Sequence, residues 1–223
     1  MEMRVLSWNL FHGRAVPPAG RDLLDEYAAT LAGWRWDVAL LQEVPPWWPR
    51  PLAQAAGASC ARVLTSRNFL LPLRRALAVR WPDRVRSNGG GANAILVRGA
   101  RIPEHRRRRV RWWPERRLVH AVRLDSGVWV ANVHLTVPRE DPGQEDLARA
   151  LRAVLGWAGE APLVFGGDVN QRRPAAPGLE HVAGHHVDHL FARGLRRASR
   201  AELPERGPLS DHAPLAVDLV SDD

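Results

Sequence analysis

The chain has 223 residues, 45% of them hydrophobic and 25% charged, which is enough to bury a substantial core and unlike a disordered segment. Its single cysteine, Cys60, excludes an internal disulfide framework and fits a reducing compartment; no apolar run is long enough to span a bilayer, and the N-terminus enters a strand pattern without a signal peptide, so a cytoplasmic monomer is expected. The net charge is +8 and all 32 basic residues are arginine; coding bias explains the missing lysine, but the excess of positive charge points to a polyanionic partner.

Residues 4–8 read as a buried strand. Residues 21–34 read as a helix with Leu23, Leu24, Tyr27, Leu31 and Trp34 on one face. A second buried strand is expected at 37–42, and Pro45-Pro46 opens the next segment, with a short helix at 47–57. Strands are expected at 61–65 and 76–80, a turn at Ser87–Gly91, and a strand at 93–97. Residues 117–124 and 128–134, joined by Asp125-Ser126-Gly127, form a hairpin pattern. A helix through Leu147, Leu151, Val154, Leu155 and Trp157 is expected at 144–157, then strands at 162–166, 187–191 and 214–219. Few helices and about ten strands argue against a simple alternating parallel fold and for two sheets packed face to face with helices outside. No repeat or linker divides the chain, so residues 1–223 read as one domain.

Polar residues close several of these apolar runs. Glu43 follows Leu40-Leu41-Gln42, where alternation points Leu41 and Glu43 to one side. A carboxylate at a buried strand end needs a cation, unless it is simply a surface group before the next helix. Asp168 and Asn170 end the run Leu163-Val164-Phe165 and project alike in extended backbone. Asp168 then accepts a proton from water while Asn170 holds the water or a phosphate oxygen; the bland alternative is an Asx turn. Gly166-Gly167 would let a ligand approach the backbone. His212, after Asp211, can donate to a phosphoryl oxygen, and His134 is either a second donor or a satisfied core histidine. Asp188 is placed to orient one of these imidazoles. Arg106 to Arg109, Arg111 and Trp112-Trp113 suit a phosphate backbone with stacked bases, or else form a solvated edge strand or loop whose tryptophans cover the sheet.

Seven motifs follow in order: Trp8-Asn9, Leu41-Gln42-Glu43-Val44, Gly91-Ala92-Asn93-Ala94-Ile95-Leu96, Asn132-Val133-His134-Leu135, Gly167-Asp168-Val169-Asn170, Val187-Asp188-His189-Leu190-Phe191 and Ser210-Asp211-His212-Ala213-Pro214-Leu215. Together they resemble the endonuclease/exonuclease/phosphatase superfamily across residues 4–219, nearly the whole chain. That superfamily includes pancreatic-type deoxyribonucleases, AP endonucleases, inositol polyphosphate phosphatases, neutral sphingomyelinases and tyrosyl-DNA phosphodiesterases. The resemblance implies an α/β fold, a four-layer α/β/β/α sandwich, with the site at the sheet edges. It implies Glu43 as the main ligand of Mg2+ or Mn2+, with Asn9 and Asp211 beside the metal. It makes Asp168 the water-activating residue assisted by Asn170, sets His212 and His134 on the scissile phosphate, and has Asp188 support His212. Asn93, His12, Arg107 and Arg109 are the expected substrate contacts.

Phe11 stands where AP endonucleases place an acidic residue, and the only tyrosine, Tyr27, lies in an expected helix rather than in the mid-chain phosphate-contacting position. His12 could touch substrate or be a turn residue before Gly13. The chain is short for the superfamily, which implies trimmed specificity insertions. The leading expectation is a Mg2+-dependent phosphodiesterase acting on DNA or RNA. The alternatives are a hydrolase of small phosphoesters, such as a phosphorylated polyol or lipid head group, and a catalytically inactive phosphate-binding module.

Overall fold

The computed structural model describes residues 1–65, 68–84, 91–137 and 142–222. Apart from Gly91, the turn expected at 87–91 lies outside them. The first sheet holds β1 (Glu2–Asn9), β2 (Val38–Val44), β3 (Ser59–Leu64), β4 (Ala92–Val97), β11 (Leu195–Arg197) and β12 (Leu215–Ser221) in the order β11-β12-β1-β2-β4-β3. The second holds β5 (Glu104–Arg111), β6 (Arg117–Arg123), β7 (Trp129–His134), β8 (Leu163–Asp168), β9 (Glu180–His185) and β10 (Asp188–Arg193) in the order β5-β6-β7-β8-β10-β9. The helices are α1 (Leu24–Gly33), α2 (Pro49–Ala55), α3 (Leu71–Arg80) and α4 (Pro142–Ala158).

Strand alternation builds the layers. Val5, Leu40, Ile95, Val130, Val164 and Val217 meet between the sheets. Leu6, Trp8 and Leu41, one residue out of phase, pack outward with Tyr27, Leu31 and Leu52 of α1 and α2. On the far side Val119, Ala131 and Phe165 pack against Leu147, Leu151 and Val154 of α4. The result is the expected α/β/β/α sandwich.

One expected strand, 76–80, is instead part of α3. Its Ala, Leu and Arg residues are good helix formers, and Pro72 sits in the first turn, where its missing N–H costs nothing. β9 and β11 escaped the sequence reading because one carries few apolar residues and the other has only three residues. β5 is a regular edge strand, and Trp112 and Trp113 beyond it stand exposed rather than covering the sheet.

The sheets are also joined by a polar bridge. Asn132 of β7 donates from Nδ2 to the carbonyls of Leu41 and Ala94, both at 2.9 Å, and its Oδ1 accepts from Gln42 Nε2 at 2.8 Å. Both carbonyls lie where the β2–β4 ladder begins to slip register.

Candidate active site

Strand direction decides what reaches the rim. β1 and β2 run parallel and end in Asn9 and beside Glu43, while β7 and β8 run parallel and end in His134 and Asp168. β10 is antiparallel to β8, so its first residue, Asp188, lies opposite Asp168. β12 is antiparallel to β1, which brings its lead-in, with Asp211 and His212, to the end of β1. Ser210 pins that lead-in: its hydroxyl donates to the Asn9 carbonyl at 2.6 Å and accepts from the His212 N–H at 3.0 Å. Trp8 Nε1 donates to the His212 carbonyl at 3.1 Å.

Asp168 is the hub. Its Oδ2 accepts from Asn9 Nδ2 at 2.9 Å and lies 3.5 Å from His134 Nε2 and 3.9 Å from His212 Nε2. The other ring nitrogen of His212, Nδ1, is 2.8 Å from Asp188 Oδ2. Glu43 reaches the same space, with Oε2 3.1 Å from His12 Nε2 and Oε1 3.7 Å from His134 Nε2. Asn93 is buried at this end of β4, and among the described residues neither its amide nitrogen nor its oxygen has a hydrogen-bond partner.

Backbone conformation corrects three sequence expectations. Glu43 does not share a face with Leu41. β2 slips register between Leu41 and Val44, Glu43 takes φ 50°, and its carboxylate turns to the histidines while Leu41 enters the outer core. Asn170 does not continue an extended strand from Asp168. It has φ 55°, its N–H donates to Asp168 Oδ1 at 3.0 Å, and its side-chain amide donates to the Leu135 carbonyl at 2.9 Å. The Asx turn is therefore real, and it fixes the Asp168 carboxylate. Gly166 and Gly167 serve strand packing rather than ligand access: a Cβ would fall 2.4 Å from the His189 carbonyl oxygen at the first and 2.2 Å from the Val133 carbonyl oxygen at the second. Phe11, His12, Glu43, Asn170 and Ser210 all have left-handed φ around this one rim, a concentration of strain that is common where side chains must be aimed.

Electrostatics separate the titrating groups. Burial raises the Asp168 pKa, and the neighbouring Asp188 charge adds to it, against the pull of His212 and Asn9. Burial opposes the charged form of His212, but the hydrogen bond and charge of Asp188, with Asp168 and Asp211, push it up to about 9. Burial and the nearby Arg117 charge hold His134 well below the usual histidine range. At neutral pH the site thus offers an imidazolium at 212 and a neutral imidazole at 134.

Asp168, Asp188 and His212 each place a potential ligand atom within 4.8 Å of the others. Asp188 Oδ1 is buried without a hydrogen-bond partner among the described residues. Two converging carboxylates and an imidazole, with the Asp168 proton affinity raised by burial and the Asp188 charge, form a set that a divalent cation suits. Asn9 and Glu43 border this group, whereas Asp211 is exposed and enters through its charge on His212. Arg107 and Arg109 lie on exposed β5, away from the cluster. The sequence reading missed Ser210 as a positioning residue and Arg117, whose side chain is 11% exposed and whose charge reaches His134; Arg117 carries no motif that could have singled it out.

A carboxylate–imidazole cluster on the rim of a four-layer sandwich suits phosphoester chemistry. The sequence pattern of the Endonuclease/Exonuclease/phosphatase family matches residues 6–212, and the chain belongs to that family. It is a phosphoesterase by that membership. Among solved structures, an endonuclease/exonuclease/phosphatase from Beutenbergia cavernae superposes with TM-score 0.74 at 20% identity, covering 99% of this chain and 72% of its own. Truncated TDP2 of Caenorhabditis elegans superposes with TM-score 0.70 at 18% identity, covering 99% and 98%. A family protein from Bacteroides vulgatus gives TM-score 0.73 at 14% identity with full coverage of both chains, 100% each. At these identities they are similar in fold. No curated protein matches the sequence.

Proposed function

We propose that residues 1–223 act as one catalytic unit, a divalent-metal-dependent phosphodiesterase hydrolysing nucleic acid. The observation that carries this reading is the meeting of Asp168 with the Asp188–His212 pair at one rim. Glu43 is the proposed main ligand that would hold Mg2+ or Mn2+, with Asn9 and Asp211 beside it. When bound, the cation supplies charge neutralisation at the phosphoryl oxygens.

The chain's own groups do the rest. Asp168, oriented by the Asn9 amide and the Asn170 N–H, takes the proton of the attacking water. His212, held charged by Asp188, donates to a phosphoryl oxygen where negative charge develops. Neutral His134 is a second donor to the phosphate. Asn93, with its unpartnered amide, and His12, at the mouth beside Glu43, are proposed to contact the substrate. Arg107 and Arg109 would hold phosphates farther along.

The test is a panel of DNA, RNA, abasic DNA and small phosphoesters assayed with Mg2+ and Mn2+. Nucleic acid should be cut, chelator should stop the reaction, and either ion should restore it. Turnover confined to the small phosphoesters overturns the nucleic-acid assignment. Full activity in excess chelator overturns the metal.

A further inference from the structure

One flank of the molecule lies outside the cluster, where β3 and β5, each at the edge of its sheet, both line one cavity. β5 is paired only to β6, and its sequence is strongly basic. Alternation divides its side chains. Arg106 and Val110 face the α4 side: Val110 is in that core, and the Arg106 guanidinium lies over Trp129. His105, Arg107 and Arg109 share the other face, as shown by His105 Nε2 lying 3.2 Å from His120 Nδ1 and by Arg107 sitting opposite His120. Residues two apart on a strand repeat about every 7 Å, a spacing that suits successive phosphates of an extended single strand.

Both ends of this row lead somewhere. At its start is a cavity of about 650 Å³ lined by Arg50, Arg62, Arg101 and His105, with Ser59 and Cys60, and with no carboxylate in its lining. The cavity lies at the end of the sandwich opposite the catalytic rim, since Ser59 pairs with Val97, the last residue of β4. At the other end stand Trp112 and Trp113, 66% and 78% exposed, with the Arg109 guanidinium 4.1 Å from the Trp112 ring centre. Glu104, Asp146 and Glu115 neutralise Arg106, Arg111 and Arg117, but among the described residues Arg107 and Arg109 have no carboxylate partner.

Resting on the nucleic-acid reading above, we propose that this flank is a track for single-stranded nucleic acid. Phosphates lie on Arg107 and Arg109, the far phosphate enters the arginine-lined cavity, and bases stack on Trp112 and Trp113 beside the rim. Exposed indoles next to guanidinium groups suit unpaired bases, whose faces a duplex hides. A membrane would favour basic and aromatic groups spread in one plane around the rim. Here they form a line running away from it.

The track is tested by binding in excess chelator, with fluorescence anisotropy on labelled oligothymidylates of increasing length. Affinity should rise with length and level off once the strand reaches the cavity. Arg107→Ala with Arg109→Ala should weaken binding of the longer oligomers at least about tenfold and flatten the salt slope by roughly 0.7 per lost phosphate contact. Arg196→Ala with Arg197→Ala, on the opposite edge strand, should leave both unchanged. An unaltered salt slope in the first pair overturns the track, as does tighter binding of a duplex of equal length. Capture by phosphatidylserine vesicles that the first pair abolishes, without oligomer binding, also overturns it. Hydrolysis of bis(p-nitrophenyl) phosphate with Mn2+ separates the two claims: turnover without oligomer binding removes only the track, and absence of both removes the phosphodiesterase reading as well.

Discussion

At the scale of single residues, the Asp168 carboxylate is held by the Asn9 amide and the Asn170 N–H and lies near two imidazoles, so its isosteric substitution isolates chemistry from fold. Asp168→Asn keeps the shape and removes the base, and turnover should fall by about two orders of magnitude or more, measured at saturating Mg2+ with circular dichroism confirming an intact fold. Near wild-type turnover would show that another group activates the water. Glu43→Gln should behave differently. It weakens the hold on the cation, so activity should recover in part as Mg2+ is raised, and a loss that is indifferent to Mg2+ would remove Glu43 from the metal shell. These identities were legible in the sequence because each residue closes an apolar run. Their aim was not. The bulge that turns Glu43 away from Leu41 and the left-handed Ser210 depend on partners in other strands, the Asx turn at Asn170 is local and was one of two readings the sequence offered, and the double glycine read as ligand access is demanded by neighbouring carbonyls.

At the scale of elements, the polar bridge from β7 to β2 and β4 is as specific as the apolar layer around it. Asn132→Leu would take the side-chain donor from the buried Leu41 and Ala94 carbonyls, while the Gln42 amide would keep the Leu40 carbonyl and the Ser7 hydroxyl. An unsatisfied buried group costs about 1–3 kcal/mol, so the variant should lose at least about 2 kcal/mol in urea unfolding; a smaller change would mean that the sheets repack without the bridge. β6 supplies a pH-sensitive element. Burial holds His120 well below its ordinary pKa, with the His105 charge acting in the same direction. The unfolded chain therefore binds a proton that the folded chain refuses, and stability is lost as pH falls below the unfolded histidine value, by up to about 1.4 kcal/mol per pH unit for that group. Unfolding free energies from pH 7 to pH 5 should show this slope, and His120→Gln should flatten it; an unchanged slope would assign the effect to other buried histidines. Long, apolar elements such as β1, β2, β7, β8 and α4 were legible because burial on one or both faces leaves a periodic trace. α3 was misread because its short run Ala76-Leu77-Ala78-Val79 suits either conformation, and it has no buried residue to impose a period.

At the scale of the whole molecule, layer order and site location could be anticipated together, since polar strand ends in a two-sheet sandwich must collect on a rim. What could not be anticipated was the cavity at the start of the arginine row, because no local pattern in Ser59–Arg62 foretells its meeting with His105. A cation that binds only the folded chain should stabilise it by mass action. The melting temperature of chelated protein should rise with Mn2+ and Mg2+, and rise less in Glu43→Gln. Absence of any shift at millimolar ion would count against a site formed before substrate arrives.

The pairing of β1 with β12 sets Met3 beside Leu219 and brings His212 to Asn9 from the far end of the chain. During translation the strands β5 to β10 emerge as a contiguous block and can assemble early. β1 must wait, its apolar Val5, Leu6 and Trp8 lacking a partner on one side. A chain cut at residue 210 would thus lack both the strand that covers one edge of β1 and the imidazole proposed to meet the phosphate.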